Sequence, residues 1–267
     1  MAEKGPDEKQ FSRRDFLKTT GVATGGIIGG SLLGGFVGFN MNGDSGGDTA
    51  QNGQQDTGGD TAQGQHDPGR IFFHNDAEFE TISQAMERIF PEDDMGPGAI
   101  TLGAPYFLDM QLAGEYGNNT KEYMQGPFYA GETTQGYQSR LKRSELFRLG
   151  IERLNAEANE QFDDDFSNLE GEDQDEILTR FQEGEADMGV PPATATPEDF
   201  FGLLRSATIE GVYADPLYRG NRGMEGWKMK NFPGHQYQYI DRIQSDSMVE
   251  IEPQPLFGGD HNGNGNG

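Results

Sequence analysis

Three consecutive carboxylates, Glu92-Asp93-Asp94, stand directly before a glycine- and proline-rich turn. Carboxylate oxygens at this density suit hard cations such as Ca²⁺, so the segment could form a metal site. The pattern favours a tight connection between two helices, in which the acids lie near the positive N-terminal end of the second helix. We therefore predict no metal site here. The candidates for contact with a partner protein in this turn are Asp94, Gly96, Pro97 and Gly98.

A second segment with many chemically versatile side chains runs from Glu210 to Tyr239. It holds the only tryptophan of the chain, Trp227, together with four tyrosines and His235. Such a segment can dock a partner or surround a ligand through aromatic anchors. Equally, it can be an irregular segment that packs onto its own helices through Trp227 and Phe232, and both alternatives stand above catalysis. The docking candidates are Asp215, Pro216, Tyr218, Gly220, Asn221, Gly226, Trp227, Phe232, Pro233 and Gly234.

Outside these two segments the sequence offers no recognisable catalytic, metal-binding or cofactor-binding set. Cysteine is absent, which excludes disulfides, thiol nucleophiles, iron–sulfur ligation within this chain and covalent c-type haem attachment. The four histidines are widely separated and assemble neither a zinc set nor a nucleophile–base triad. No strand-associated Gly-x-Gly-x-x-Gly marks a dinucleotide site. We predict no catalytic residue and no cofactor in this chain; a self-sufficient enzyme using Glu92 to Asp94 with His235 as base is the alternative.

The N-terminal residues predict export. Arg13 and Arg14 are followed by Phe16-Leu17-Lys18 and by a weakly apolar, glycine-rich run from Thr19 to Phe39. This pattern is typical of a twin-arginine signal, which the Tat translocase uses to carry folded proteins across the cytoplasmic membrane. The apolar run, at about 20 residues, is just long enough to span a bilayer. We expect the protein at the extracytoplasmic face of the cell membrane, with an uncleaved N-terminal anchor as an open alternative.

The charge of the chain limits its partners. It carries 45 Asp and Glu against 20 Lys and Arg, a formal net charge of −25. Nucleic acid and anionic lipid are poor partners for such a surface. From Arg70 onward the acids alternate with apolar residues at helical spacing, and arginine outnumbers lysine 11 to 4. We predict a folded protein of a salt-loving organism, because molar salt shortens the Debye length to about 3 Å and screens the self-repulsion.

Composition divides the chain into four parts. Residues 1–39 form the signal or anchor, and residues 40–69 form a Gly-, Asp- and Gln-rich tether in which Gly-Gly-Asp-Thr-Ala-Gln occurs twice. Residues 70–257 suit one domain, and residues 258–267 resemble the tether. We expect the tether and the tail to be disordered because they lack apolar residues for a core.

The folded part is predicted to be all-α, with long irregular loops. Apolar residues at helical spacing predict a helix capped by Asn75 or Asp76, a second apolar segment from Ala99 that Pro105 would kink or split, and a long helix over about residues 139–160. A shorter helix is marked by Leu169, Ile177, Leu178 and Phe181. Another begins at Thr196-Pro197. Strand-like alternation is scarce.

The motifs in these segments, taken in order, resemble those of the gluconate 2-dehydrogenase subunit 3 family. Ile-Phe-Pro-Glu-Asp-Asp and Gly-Pro-Gly-Ala come first, then Gly136-Tyr137-Gln138 before the long helix, and finally Ala-Asp-Pro, Gly-Asn, Gly-Trp-Lys and Phe-Pro-Gly. The similarity covers about residues 75–240. Arg219 departs from the family, which usually has glycine in that turn, and Pro105 is a second departure.

The resemblance implies a non-catalytic accessory subunit. Its partner would be a large FAD-dependent dehydrogenase of the glucose-methanol-choline type that oxidises gluconate or a related sugar, and a cytochrome c subunit carrying haem c would complete the membrane complex. The small subunit would convey its folded partner through the Tat translocase. A stand-alone, membrane-tethered extracytoplasmic binding protein is the alternative.

Overall fold

The computed structural model describes residues 68–129, 139–240, 243 and 251–257. The predicted export signal at Arg13 to Lys18, the tether up to residue 67, the tail from residue 258 and the motif at Gly136 to Gln138 lie outside these residues. The prediction of an all-α fold is confirmed, because the described residues form helices and contain no strand beyond two isolated bridges.

Six α-helices account for nearly half of the described residues. They are α1 (Asp76–Ile89), α2 (Ala104–Ala113), α3 (Arg143–Phe162), α4 (Gly171–Glu183), α5 (Pro197–Tyr213) and α6 (Glu225–Met229). Three short 3-10 turns lie at Phe166–Asn168, Pro216–Tyr218 and Arg222–Met224. No helix in this part of the chain is long and apolar enough to span a membrane.

Two helix starts follow the predicted capping chemistry. The side-chain oxygen of Asn75 accepts a hydrogen bond from the backbone N–H of Ala77 at 3.0 Å, at the start of α1. The hydroxyl of Thr196 accepts one from Asp199 N–H at 3.2 Å, with Pro197 in the first turn of α5. Each cap satisfies a backbone donor that has no partner inside the helix.

Two other predicted helix starts are wrong. Pro105 neither kinks nor splits a helix, because α2 begins only at Ala104 and proline is tolerated in a first turn, where its missing N–H has no helical partner. The long helix begins at Arg143 rather than near residue 139, since Glu145 accepts the backbone N–H of Lys142 at 2.8 Å and fixes the start there.

The core lies where α5 packs between its neighbours. The ring of Phe200 meets the rings of Phe147 from α3 and Phe181 from α4 edge-on, with centroids 5.8 and 5.7 Å away. All three phenylalanines are fully buried. Gly150 lets α3 approach α5 this closely, because a Cβ there would lie 2.2 Å from the Phe200 ring. This core holds the ends of α1, α2 and α5 rigidly beside the two segments singled out above.

Candidate docking surface

The acidic segment forms a tight turn between α1 and α2. Asp93 and Gly96 exchange backbone hydrogen bonds of 3.2 and 3.1 Å, and the Asp93 carboxylate accepts the N–H of Met95 at 2.9 Å. Glu92 and Asp94 are exposed. Across the described residues, no group of three or more acidic, histidine or cysteine side chains is arranged to hold a metal ion. The geometry is that of a helix–helix connection.

The turn is fixed to α1 by one partly buried carboxylate. Glu87 accepts the backbone N–H groups of Ile100 at 2.8 Å and Glu92 at 3.0 Å. Burial raises the pKa of Glu87 above its ordinary value, although these two hydrogen bonds act in the opposite direction. Gly98 leaves room for the carboxylate, because a Cβ there would lie 1.9 Å from Glu87 Oε1. The glycine is therefore required by packing.

The aromatic segment is organised around one buried amide, that of Asn221. Its Nδ2 donates to the carbonyl of Ala214 at 2.9 Å, and its Oδ1 accepts the N–H of Gly226 at 2.8 Å. Asn221 is fully buried and has a left-handed backbone conformation, with φ of 49°. Asparagine tolerates this conformation better than most residues. The amide thereby joins the end of α5 to the start of α6.

Trp227 packs on its own chain. Its Nε1 donates to the carbonyl of Tyr213 at 2.8 Å, and its ring meets the ring of Phe232 edge-on at 5.4 Å. Only 6% of Trp227 is exposed, whereas 48% of Phe232 is. Trp227 therefore shapes the surface from beneath, as in the self-packing alternative, while Phe232 presents part of its ring to solvent.

The two segments lie against each other. A Cβ at Gly96 would be 2.7 Å from Sδ of Met229, which lies in α6. The backbone N–H of Arg222 also donates to the carbonyl of Leu102 at 3.0 Å, next to the start of α2. The acidic turn and the aromatic segment thus form one continuous region, which we call the docking surface (residues 92–98 and 215–234).

The docking candidates fall into three groups by exposure. Those that are buried are Gly98, Gly220, Asn221, Gly226 and Trp227. Those that are partly buried are Gly96, Pro97, Asp215, Pro216, Pro233 and Gly234. Those that are exposed are Asp94, Tyr218 and Phe232. The sequence motifs therefore mark mainly the scaffold of this surface, and few of the side chains that solvent or a partner can reach.

Exposed apolar side chains lie directly beside the motifs, and the sequence reasoning missed them. Met95 and Leu217 are 63% and 47% exposed, each directly next to a candidate. Their signal in the sequence is weak, because an apolar residue in a loop is as compatible with burial as with exposure. The structure adds them to Tyr218 and Phe232 as side chains able to enter a partner's pocket.

A family model described as gluconate 2-dehydrogenase subunit 3 matches residues 76–234, more than half of the chain. The chain belongs to the gluconate 2-dehydrogenase subunit 3 family. Neither the curated proteins nor the solved structures contained a match to this chain. Both segments of the docking surface lie inside the family match.

Membership in the gluconate 2-dehydrogenase subunit 3 family indicates a subunit of a dehydrogenase complex. A subunit of a complex must bury part of its surface against another chain. Stable interfaces are built around apolar and aromatic anchors, surrounded by polar residues. The exposed apolar residues on the docking surface have the side-chain chemistry of such anchors, and they lie on a framework that Glu87, Asn221 and Trp227 fix by hydrogen bonds.

His235, the base of the enzymatic alternative, lies at the end of the docking surface. Its ring meets the ring of Tyr237 edge-on at 4.8 Å, and its backbone N–H donates to the carbonyl of Gln254 at 2.7 Å. Its buried Nε2 has no hydrogen-bond partner among the described residues. These contacts hold the ring in place and assign it no catalytic partner.

A polar cleft of about 280 Å³ opens elsewhere, beside the end of α2. Arg143 lies over the ring of Tyr116 at 4.6 Å and pairs with Glu122 at 2.7 Å. Burial raises the pKa of Tyr116 to about 12, so its hydroxyl keeps its proton at neutral pH. Arg143 is thus already paired inside the cleft, and the contacts described there are structural ones that do not place an acid beside a base.

Proposed function

We propose that this chain is the accessory subunit that binds, stabilises and helps to export an FAD-dependent dehydrogenase of the glucose-methanol-choline type. The partner oxidises gluconate or a related sugar and carries the FAD. A third subunit with haem c accepts the electrons. The observation that carries the proposal is the family match over residues 76–234, combined with exposed apolar side chains on a rigid framework within that match.

The stabilising role follows from the docking surface. Burying a fully exposed Leu, Phe or Met side chain contributes about 1.5–3 kcal/mol before the costs of association. Leu217 and Phe232 are 47% and 48% exposed, so each would contribute roughly half of that. Because Glu87, Asn221 and Trp227 already fix the backbone beneath these side chains, little ordering is needed on binding. Binding that favours only the folded dehydrogenase raises its free energy of unfolding by mass action.

The export role rests on the twin-arginine motif at Arg13 and Arg14. That pathway carries folded proteins, so a dehydrogenase bound to this chain would cross the membrane with it. The complex then works at the extracytoplasmic face of the cell membrane, and residues 1–39 anchor it there if they are not cleaved. The net charge of −25 suits a high-salt exterior.

The experiment is to tag the C-terminus, purify the full chain from native-host membranes in molar salt, and record subunit content and the flavin absorption spectrum. The proposal predicts co-elution of a large subunit that shows flavin absorption and sugar dehydrogenase activity. Replacing Arg13 and Arg14 by lysine should leave this complex in the cytoplasm. A single chain that elutes without flavin, under conditions that preserve other membrane complexes, would contradict the proposal.

Two substitutions distinguish the hypothesis of a self-sufficient enzyme from that of an accessory subunit. Asp94→Ala and His235→Ala remove side chains that the enzymatic alternative needs, and Asp94 is exposed, so its removal disturbs no packing. The accessory role predicts unchanged turnover once the complex has assembled. Loss of turnover in an intact complex would favour the enzymatic alternative.

A further inference from the structure

Backbone strain is concentrated in the docking surface. Six non-glycine residues in the described part have positive φ, and four of them lie between residues 219 and 231. Arg219, with φ of 70°, and Met224, with φ of 59°, are the two that are neither Asn nor Asp. Such conformations cost of order 1 kcal/mol and persist where surrounding contacts enforce them, commonly at binding sites. The contacts of Arg219 are therefore informative.

Arg219 holds the point at which the tether enters the domain. Its Nη1 donates to the carbonyl of Gly69 at 2.7 Å. Residues 71–73 are held by Asp109 of α2, whose buried carboxylate accepts the N–H groups of Ile71 at 2.7 Å and of Phe72 and Phe73 at 2.9 Å. The root of the tether is thus fixed beside the strained turn at Arg219.

Asp215 holds the C-terminal segment, residues 251–257, beside the turn that contains Arg219. One carboxylate oxygen accepts the N–H of Leu217 at 2.9 Å, and the other accepts the N–H of Leu256 at 2.8 Å. Gln254, two residues earlier, forms a bridge to Gly234. One carboxylate therefore places two leucines from distant parts of the chain next to each other.

These contacts bring three remote segments together, and each presents apolar side chains to solvent. The side chains, 38% to 69% exposed, are Ile71 from the tether root, Leu217 and Tyr218 from the turn, and Leu256 and Phe257 from the C-terminal segment. We call these five residues the composite patch. Exposed apolar patches commonly mark protein–protein contacts in soluble proteins.

We propose that the composite patch is a contact surface for the catalytic subunit, and that Arg219 and Asp215 assemble it from the tether root, the turn and the C-terminal segment. The inference rests on the proposed function, which supplies the partner. Residues 69–71 and 254–257 lie outside the family match, so the patch extends beyond the region that carries the family motifs.

Family membership argues for a different protein as the occupant. The family match indicates a subunit of a dehydrogenase complex, in which a larger catalytic subunit is available to cover an exposed apolar patch. The tether root at Gly69 lies beside the turn that carries Leu217 and Tyr218.

The test measures the dissociation constant between the full-length chain and the isolated flavoprotein in molar salt. The test variant, Leu256→Ser/Phe257→Ser, removes two exposed side chains of the patch, and Ile71→Ser removes a third from a different segment. The matched control is Tyr123→Ser, which removes an aromatic side chain that is 80% exposed and belongs to neither the composite patch nor the docking surface. Far-ultraviolet circular dichroism confirms that each variant is folded.

We expect the double variant to raise the dissociation constant tenfold or more, the usual effect of removing interface anchors, while the control stays within about twofold of the wild type. Equal affinities for the patch variants and the wild type would overturn the composite patch and leave the accessory role intact. No measurable binding by the wild type would overturn the accessory role itself, and the patch with it.

Discussion

The helical core and the docking surface of this protein are stabilised in different ways. The core is held by buried apolar side chains that recur at helical spacing, such as Phe147, Phe181 and Phe200. The docking surface is held by single polar groups, chiefly the amide of Asn221 and the carboxylate of Asp215, which tie loops of left-handed backbone together. Apolar side chains that the core would bury are exposed on this surface.

The difference separates stability from binding. Losing a core side chain leaves a cavity that weakens the whole domain. Losing a polar contact in the docking surface alters the local backbone, and so changes the arrangement of the exposed Leu217, Tyr218 and Phe232. Substitutions in the two regions should therefore affect unfolding and partner binding in different proportions.

The largest effect on unfolding is expected in the core. Phe200→Ala should lower the free energy of unfolding by about 3–5 kcal/mol, because it removes a fully buried ring where α3, α4 and α5 meet. Denaturant titration in molar salt gives the value. The protein that remains folded should bind its partner as the wild type does. A loss below about 1 kcal/mol would show that this ring is not central to the core.

An intermediate effect is expected at Asn221. Asn221→Ala leaves the carbonyl of Ala214 and the N–H of Gly226 without their buried partner, which should cost about 1–3 kcal/mol. Partner affinity should fall by more than this loss of stability alone explains. Asn231→Ala is the matched control, since Asn231 also has positive φ but is exposed. If both variants lost the same stability and partner affinity, the effect would come from the left-handed backbone conformation and not from the buried hydrogen bonds.

A smaller effect is expected at Arg219. Arg219→Gly and Arg219→Ala both lose the hydrogen bond to Gly69, but glycine also relieves the positive φ. The glycine variant should therefore be more stable than the alanine variant by about 1 kcal/mol. Limited proteolysis should cut both variants near residues 68–71 faster than the wild type. Unchanged cleavage would show that Asp109 alone holds the tether root.

The smallest effect is expected at Glu87, where the core meets the docking surface. Burial raises the pKa of this carboxyl in the folded state above its unfolded value. Its contribution to stability is then fully present below the unfolded pKa and is lost as pH rises through the folded pKa. Just above pH 4.5, the free energy of unfolding of the wild type should fall as this carboxyl loses its proton, and Glu87→Gln should remove that fall. Denaturant unfolding at several pH values measures it. If the free energy of unfolding changed with pH in the same way in the variant and the wild type, Glu87 would not be the titrating group.

Helical spacing was sufficient to predict most of the core. Asn75 and Thr196 start helices where the sequence placed them, because side-chain caps and apolar spacing act locally. The apolar spacing mispredicts the start of α2, because Pro105 lies in the first turn of a helix that begins only one residue earlier. The long helix likewise begins at Arg143 rather than near residue 139. These errors concern boundaries, which depend on the competition between adjacent caps.

The docking surface could be predicted only in part. The motifs located both of its segments, yet five of the fourteen candidates are buried and serve the framework. Helix α6, five residues long, has too few turns to show a period. The contacts of Arg219 with Gly69 and of Asp215 with Leu256 join residues 150 and 41 positions apart. No local pattern in a single sequence encodes such pairings.

The most direct test of the docking surface is hydrogen–deuterium exchange of the full chain, alone and in the purified dehydrogenase complex, in molar salt. The account predicts slower exchange in the complex over residues 92–98, 215–234 and 251–257, with α4 (Gly171–Glu183) exchanging alike in both states. Protection confined to α4, with the docking surface unchanged, would contradict it.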